Sequence, residues 1–341
     1  MSTVVQTDVV VVGAGPVGLF AVFQCGMLKL RCHVVDALDA VGGQCAALYP
    51  EKPIYDIPAY PRILAADLVA NLQEQAAPFA PVYHLNQRVE RLERLEAEQA
   101  WLVKTSTGTL LQAKAVIIAA GAGAFGPNRP PLVDIEDYEG GTEAGVQYFV
   151  KKREDFRGKK LVIAGGGDSA VDWALSLADL AAEIYLVHRR PKFRAAPESV
   201  AQLDALVAAG KVQLVVPYQL SALQGDGGRL NAVVVEDFDG GKRVLGADHL
   251  LAFFGLSMDL GPIADWGLNL HRQHIEVAPV SGQTNLPGIF AVGDIASYSG
   301  KLKLILTGFA EAAAAAHAIY PLIHPDVPLH FEYSTTKGVA A

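Results

Sequence analysis

At 341 residues the chain is longer than one hydrophobic core of ordinary size requires, so two domains are expected. Hydrophobic residues make up 51% and charged residues 19%, which excludes a disordered or fibrous chain, and the 33 glycines have no collagen-like period. The formal net charge of -8 argues against a general nucleic-acid or anionic-membrane binder, because either needs an excess of Lys and Arg.

The first predicted element is Asp8 to Val12, too short and too β-branched for a helix and ending in glycine, as a buried parallel strand does. Residues 9 to 28 carry no charge, yet no Lys or Arg precedes them and Gly13, Gly15, Pro16 and Gly18 interrupt them. A signal peptide or membrane span is therefore disfavoured, and a cytoplasmic protein is expected. A helix from about Val17 to Leu28 and a strand from Cys32 to Val35 complete a β-α-β unit. Cys25, Cys32 and Cys45 lie 7 and 13 residues apart, with no C-x-x-C and no metal-ligand spacing, so they are expected to be buried or incidental thiols in a reducing compartment.

Alternating segments around Gln87 to Leu92 and Trp101 to Thr105 predict a small antiparallel meander, followed by an apolar strand from Ala115 to Ala119. A second β-α-β unit follows: strand Lys160 to Ala164, a glycine turn, a helix from about Ser169 to Leu180, and strand Glu183 to Val187. Alternation recurs at Leu230 to Asp237. The strand Ile289 to Val292 and an Ala-rich helix from roughly Leu304 to Tyr320 come last, and they are expected to complete the first domain. The fold class implied is α/β with two Rossmann-like dinucleotide-binding domains.

In GAGPVG the glycines are Gly13, Gly15 and Gly18, the G-x-G-x-x-G spacing. The first permits the tight turn, the second lets a pyrophosphate approach the backbone, and the third lets helix and strand pack closely. The phosphate charge then faces free N-H groups at a helix N-terminus. Asp36 ends the second strand 23 residues after Gly13, where a carboxylate can accept hydrogen bonds from a ribose diol.

The second turn, GGGDSA, has Gly165, Gly167 and Ala170 in the G-x-G-x-x-A variant, with Asp168 and Ser169 opening the helix. The same 23-residue offset from Gly165 lands on His188, followed by Arg189, Arg190 and, four residues on, Arg194. An acid here would repel the 2'-phosphate of NADP, whereas guanidinium forks bind it. A solvated surface cluster is the plainer explanation of the arginines, and their offset from a glycine turn counts against it. The assignment that follows is FAD in the first domain and NADPH in the second.

Further segments carry a family resemblance: VGGQ at 41 to 44, ALYPEKPIYDIPAYP at 47 to 61, HRRPKFRA at 188 to 195, LGPIADWGL at 260 to 268, TNLPGIFAVGD at 284 to 294 and GKLKLILTGFAEAA at 300 to 313. Together they resemble the thioredoxin-reductase-like class of ferredoxin-NADP reductases, two-dinucleotide-binding flavoproteins, over nearly the whole chain. Thioredoxin reductases carry a C-x-x-C dithiol shortly before the second glycine turn, and GVQYFVKKREDF, 145 to 156, has no cysteine. A thiol-disulfide route needs a thiolate and a resolving partner, so electrons are expected to leave the flavin directly.

The resemblance implies FAD contacts at Val17, Asp36, Gly43, Gln44, Tyr49, Val89, Phe125, Gly293 and Asp294, with Tyr49 near the isoalloxazine ring. In the C-terminal HFEYSTTKG it implies that Tyr333 covers the other ring face, followed by Ser334 and Thr335 near the flavin edge. An aromatic packed against a neighbouring subunit is the alternative for Tyr333. Departures from the family pattern fall at Cys45, Pro53 and Pro58. The resemblance also implies a homodimer and domains at 1–123 with 249–341 (FAD) and 124–248 (NADPH), with hinges near Ala122 to Pro127 and Gly246 to Leu250.

The expected activity is electron transfer between NADPH and ferredoxin, as hydride transfer to flavin N5 and then single-electron steps, with no side chain acting as acid, base or nucleophile. Flavodoxin is a second candidate carrier. Ferredoxins are acidic, and KKREDFRGKK at 151 to 160 is the densest basic run for docking, although a solvated helix end explains it equally well. A low-molecular-weight disulfide or quinone reductase, and a non-catalytic flavin redox sensor, are the alternatives.

Overall fold

The computed structural model describes residues 3–140, 145–329 and 338. The chain divides into two compact units, Met1–Phe125 with Met258–Ala341, and Gly126–Ser257.

The first unit is built on a five-stranded parallel sheet in the order Ile289–Ala291, Ala115–Ile118, Val9–Val12, Cys32–Val35 and Val82–His84. Side chains alternate, so Val9 and Val11 join Ala115, Ile117 and Val34 on one face, while Val10 and Val12 join Val116, Ile118 and Val35 on the other. Helices Pro16–Met27 and Ile305–Ile323 cover the first face through Ala21, Val22, Ala312 and Ala315. The second face meets Trp101, Val103 and Leu111 from a sheet of Val4–Gln6, Leu110–Ala113, Ala100–Thr105 and Val89–Leu95. Burial on both sides is why VVVV has no polar alternation. The predicted meander thus gains Leu110–Ala113, and Val4–Gln6 pairs with it in parallel.

A helix not anticipated, Ala65–Ala76, buries Leu68, Val69 and Leu72 at helical spacing against Leu19 and Cys45, and Ala76 in the core under the sheet. The Ala-rich helix runs on to Ile323 through Pro321. Its small residues matter near Val17: a Cβ on Gly308 would stand 2.4 Å from Val17 Cγ2 and 3.3 Å from Gly293 Cα.

The second unit repeats the plan. Its parallel sheet runs Val146–Gln147, His249–Ala252, Lys160–Ala164, Glu183–Val187 and Gln213–Val215. An antiparallel sheet of Gln219–Asp226, Arg229–Glu236 and Lys242–Gly246 closes one face through Leu230, Val233, Val235 and Leu245, which pack with Val162, Ala164 and Leu250. Helices Asp168–Leu177 and Pro197–Ala208 complete it, the first ending a turn earlier than expected.

The expected boundary at 248/249 and the hinge at Gly246 to Leu250 are corrected. His249–Ala252 is an interior strand of the second unit, paired from Leu161↔His249 to Ala164↔Ala252 and wholly buried. The chain returns to the first unit at Met258. The two connecting segments, Ala124–Pro127 and Leu256–Asp259, pair with each other as a two-stranded ribbon.

Gly308→Leu should overpack the contact with Val17 and destabilise the chain by about 1–3 kcal/mol in denaturant titration. Gly246→Ala, where nothing lies within 4 Å of the added Cβ, is the control and should shift stability by less than about 1 kcal/mol.

Candidate dinucleotide sites

The first glycine turn brings backbone segments into contact that no side chain could separate. A Cβ on Gly13, whose φ is +106°, would stand 2.4 Å from the Ala119 carbonyl oxygen, and one on Gly18 would stand 2.0 Å from the Gly13 oxygen. Gly15 differs: its φ is -71°, and nothing lies nearer than the Gly43 Cα at 4.0 Å. Neither conformation nor crowding within the protein requires glycine there. The free space above it opens on a cleft of about 400 Å³, which Gly15 helps to line.

Helix Pro16–Met27 starts at that cleft with no side-chain cap and no acid in its first turn, so its leading amides remain available to an anion. The VGGQ loop crosses the turn: the Gly42 amide donates to the Ala14 oxygen at 2.8 Å, and Gly43, at φ +56°, leaves 3.1 Å between its would-be Cβ and Gly15 Cα. Gln44, Cys45 and Tyr49 follow on the cleft wall.

Asp36 lines the cleft and is fixed by two amides, Ala14 N-H to Oδ2 at 2.6 Å and Leu38 N-H to Oδ1 at 2.8 Å. Burial pushes its carboxyl above the usual range, and these two amides oppose the shift. Each oxygen keeps a lone pair for a ribose hydroxyl.

Val17, Val89, Gly293 and Asp294 also line the cleft. Sequence reasoning missed the wall formed by the 3-10 turn Gly261–Asp265 with Leu260 and Trp266, whose indole donates to the Glu90 carbonyl at 3.3 Å. It also gave no role to Glu311, a buried carboxylate on the Ala-rich helix. Glu311 accepts the Gly293 amide at 2.7 Å and the Tyr298 hydroxyl at 2.6 Å, and pairs with the buried Lys301 ammonium. A lone acid within GFAEAAAAA was the available signal.

Cys45 Sγ lies 3.9 Å from the Tyr49 hydroxyl. Burial pushes the Cys45 thiol up to about 11 and raises the Tyr49 phenol further, so both stay protonated at neutral pH. Cys25 and Cys32 are buried in the core between sheet and helices.

The second turn repeats the first at its middle glycine: Gly167, extended at φ -103°, has nothing within 4 Å of an added Cβ. The basic loop is tied to this turn by two of its backbone amides. The Arg194 amide donates to the Gly166 oxygen at 2.7 Å, and the Ala196 amide donates to Asp168 Oδ1 at 3.0 Å. Asp168 therefore anchors the loop, while Ser169 is exposed and Ala170 is buried.

Arg189, Arg190 and Arg194 are exposed, and no carboxylate among the described residues pairs with them. His188 is placed differently from its neighbours. Its ring lies against Gly166, where a Cβ would stand 2.1 Å from Cε1, and beside Phe193 with centroids 5.4 Å apart. Burial, and then the three arginines, hold its pKa below the ordinary histidine value, so it packs the turn as a neutral ring.

The 151–160 run forms a 3-10 turn, Arg153–Phe156, and is partly neutralised within itself. Arg157 binds Glu154 through two bonds at 2.7 and 2.8 Å, and Arg153 donates to the Ser176 carbonyl. Phe125 lies in the connecting strand Ala124–Pro127, with its side chain outside what is described. Tyr333, Ser334 and Thr335 lie outside the described residues.

Residues 7–317 match the family described as pyridine nucleotide-disulphide oxidoreductase. A relative from Paramagnetospirillum magneticum named ferredoxin-NADP reductase is 64% identical over 334 residues, 98% of each chain. One of the same name from Rhodospirillum rubrum is 63% identical over 340 residues, 99% of this chain and 98% of the other. Among solved structures, T. acidophilum thioredoxin reductase superposes with a TM-score of 0.80 at 22% identity, over 92% of this chain and 98% of the other, which shows the fold. Carrying two dinucleotide turns in one such fold, the chain belongs to the pyridine nucleotide-disulphide oxidoreductase family.

Proposed function

We propose that this protein passes electrons between NADPH and ferredoxin, with FAD in the first unit and NADPH on the second. The observation that carries the reading is the opposite charge at matching places: Asp36 beside the first glycine turn, and beside the second three exposed guanidiniums that no carboxylate among the described residues pairs with. The shared name of relatives about two-thirds identical supports it.

When bound, FAD supplies the exchange between a two-electron hydride and single electrons. This chain's own residues bind and orient it. Gly13, Gly15, Val17 and the first amides of the helix receive the pyrophosphate, with Gly18 packing the helix against the turn; Asp36 takes the ribose; Gly43, Gln44, Tyr49, Val89, Gly293 and Asp294 wall the remainder. On the second unit the turn at Gly165 and Gly167 receives the other pyrophosphate while buried Ala170 packs helix against strand, and Arg189, Arg190 and Arg194 take the 2'-phosphate over a packing His188. No residue needs to gain or lose a proton. Of the three cysteines only Cys45 lines the cleft, and its thiol is protonated without a resolving partner, which favours direct electron release over a thiol-disulfide relay.

The reading extends to an acidic one-electron carrier, ferredoxin first and flavodoxin second, and to a cytoplasmic homodimer without nucleic-acid or membrane partners. Among the described residues no helix is long and apolar enough to cross a membrane. The net charge of -8 supports the absence of polyanionic partners.

A steady-state panel of ferredoxin, flavodoxin, a disulfide and a quinone with NADPH tests the activity: the one-electron carriers should turn over fastest, and negligible ferredoxin reduction would overturn the reading. Replacing Arg189 and Arg190 with Ala should raise KM for NADPH by roughly 10- to 100-fold, the loss of about 1.5–3 kcal/mol of charge-assisted bonding, with little change for NADH. Equal effects on both nucleotides would show the cluster misassigned. In the same variant the His188 ring should titrate closer to an ordinary histidine by NMR, because two positive neighbours are gone while burial remains.

A further inference from the structure

We infer that Glu311 is the positioning residue of the Gly293–Asp294 turn, and that the Glu311–Lys301 pair sets how tightly the first unit holds its flavin.

The strand Ile289–Ala291 ends at this turn. Val292 N-H still reaches the Ile118 carbonyl at 3.0 Å, but the next amide, Gly293, has left the sheet ladder at φ +75°. Its hydrogen bond goes to Glu311 Oε2 at 2.7 Å. The other oxygen, Oε1, takes the Tyr298 hydroxyl at 2.6 Å and the Lys301 ammonium.

Those two partners stand in the segment that leads to Leu304 and Ile305, which line the same cleft as Gly293 and Asp294. One carboxylate from the following helix therefore ties together the 293–305 stretch, whose two ends line the cleft. Lys301 and Glu311 are each 7% exposed by side chain. Burying such a pair is costly, and apolar replacements are often as stable, so general stability is a weak reason to place an acid among alanines.

Val17 completes the lock. It fills the space beside Gly293 and Gly308, so the turn cannot shift toward the first helix without displacing it. Glu311 holds the turn from the other element. With both oxygens engaged, Oε2 by the Gly293 amide and Oε1 by Tyr298 and Lys301, the carboxylate has little freedom to let the amide go.

This rests on FAD lying in the first cleft, and the test separates the two ideas. FAD is titrated into flavin-free wild type, Glu311→Gln, Lys301→Met and Lys301→Arg, following flavin fluorescence, with the melting temperature of each flavin-free chain taken alongside. Hydrogen exchange of the peptide containing Gly293 is measured on the same flavin-free chains.

Glu311→Gln and Lys301→Met should each raise the FAD dissociation constant at least tenfold, and Lys301→Arg should stay within threefold of wild type. The Gly293 peptide should exchange at least tenfold faster in Glu311→Gln. Wild-type affinity and exchange in Glu311→Gln would overturn the inference, as would a lower melting temperature with unchanged affinity. If Glu311→Gln does not fold, the Lys301 variants decide: weakening by Met with recovery by Arg supports the inference, and wild-type affinity in both overturns it. A wild-type chain that takes up no FAD would overturn the reading of the cleft as well.

Discussion

The structure of the first unit depends on one close backbone crossing. Gly13 passes the Ala119 carbonyl, and Gly18 passes Gly13 itself, at separations that a single methyl group would forbid. Because the first helix can begin this near the ends of Val9–Val12 and Ala115–Ile118, its unclaimed amides face the cleft instead of a packed loop. The same crossing brings the VGGQ loop within hydrogen-bonding distance of Ala14 and places Asp36 on the Ala14 amide. Cleft, helix dipole and the Asp36 carboxylate are thus fixed together, and the Gly293 turn is then held against them through Val17 and Glu311.

The two units share this frame and differ in charge. In the first, a carboxylate accepts from the turn it serves. In the second, the corresponding strand end leads into a loop tied to the turn by the Arg194 and Ala196 amides, with cationic side chains left outside. Backbone amides donate in both arrangements, to the Asp36 carboxylate in the first and to the Gly166 oxygen and Asp168 carboxylate in the second, which leaves the arginines outside the scaffold. The His188 ring fills the space over Gly166, and its neutrality follows from burial and then the cations around it.

Much of this was legible in the sequence because the determining contacts are local or have a fixed offset. VVVV and KLVIA read as strands buried on two faces, and counting from each glycine turn reached Asp36 and the arginines. The strand His249–Ala252 was not legible. Four residues after a glycine look like a connector until their parallel partner, Leu161–Ala164, lies beside them. Counting also placed His188 among the ligand groups, whereas its contact with Gly166 depends on the path of the loop in three dimensions. Glu311 was hidden for a similar reason: an acid on an alanine helix reads as solvent-facing until Gly293, Tyr298 and Lys301 converge on it.

The paired connecting strands, Ala124–Pro127 and Leu256–Asp259, mark the second unit as an insertion within the first, and this sets an order for synthesis. When Ala115–Ile118 leaves the ribosome, its neighbour Ile289–Ala291 is still about 170 residues away. At roughly 5–20 residues per second that is a delay of roughly 10–30 s. Before it ends the inserted unit has received all of its strands, the last being His249–Ala252, while the host sheet still lacks an edge strand and the alanine helix. The nascent host therefore leaves the edge of Ala115–Ile118 without its strand partner for the whole interval. Its closure waits for the last sixth of the polypeptide.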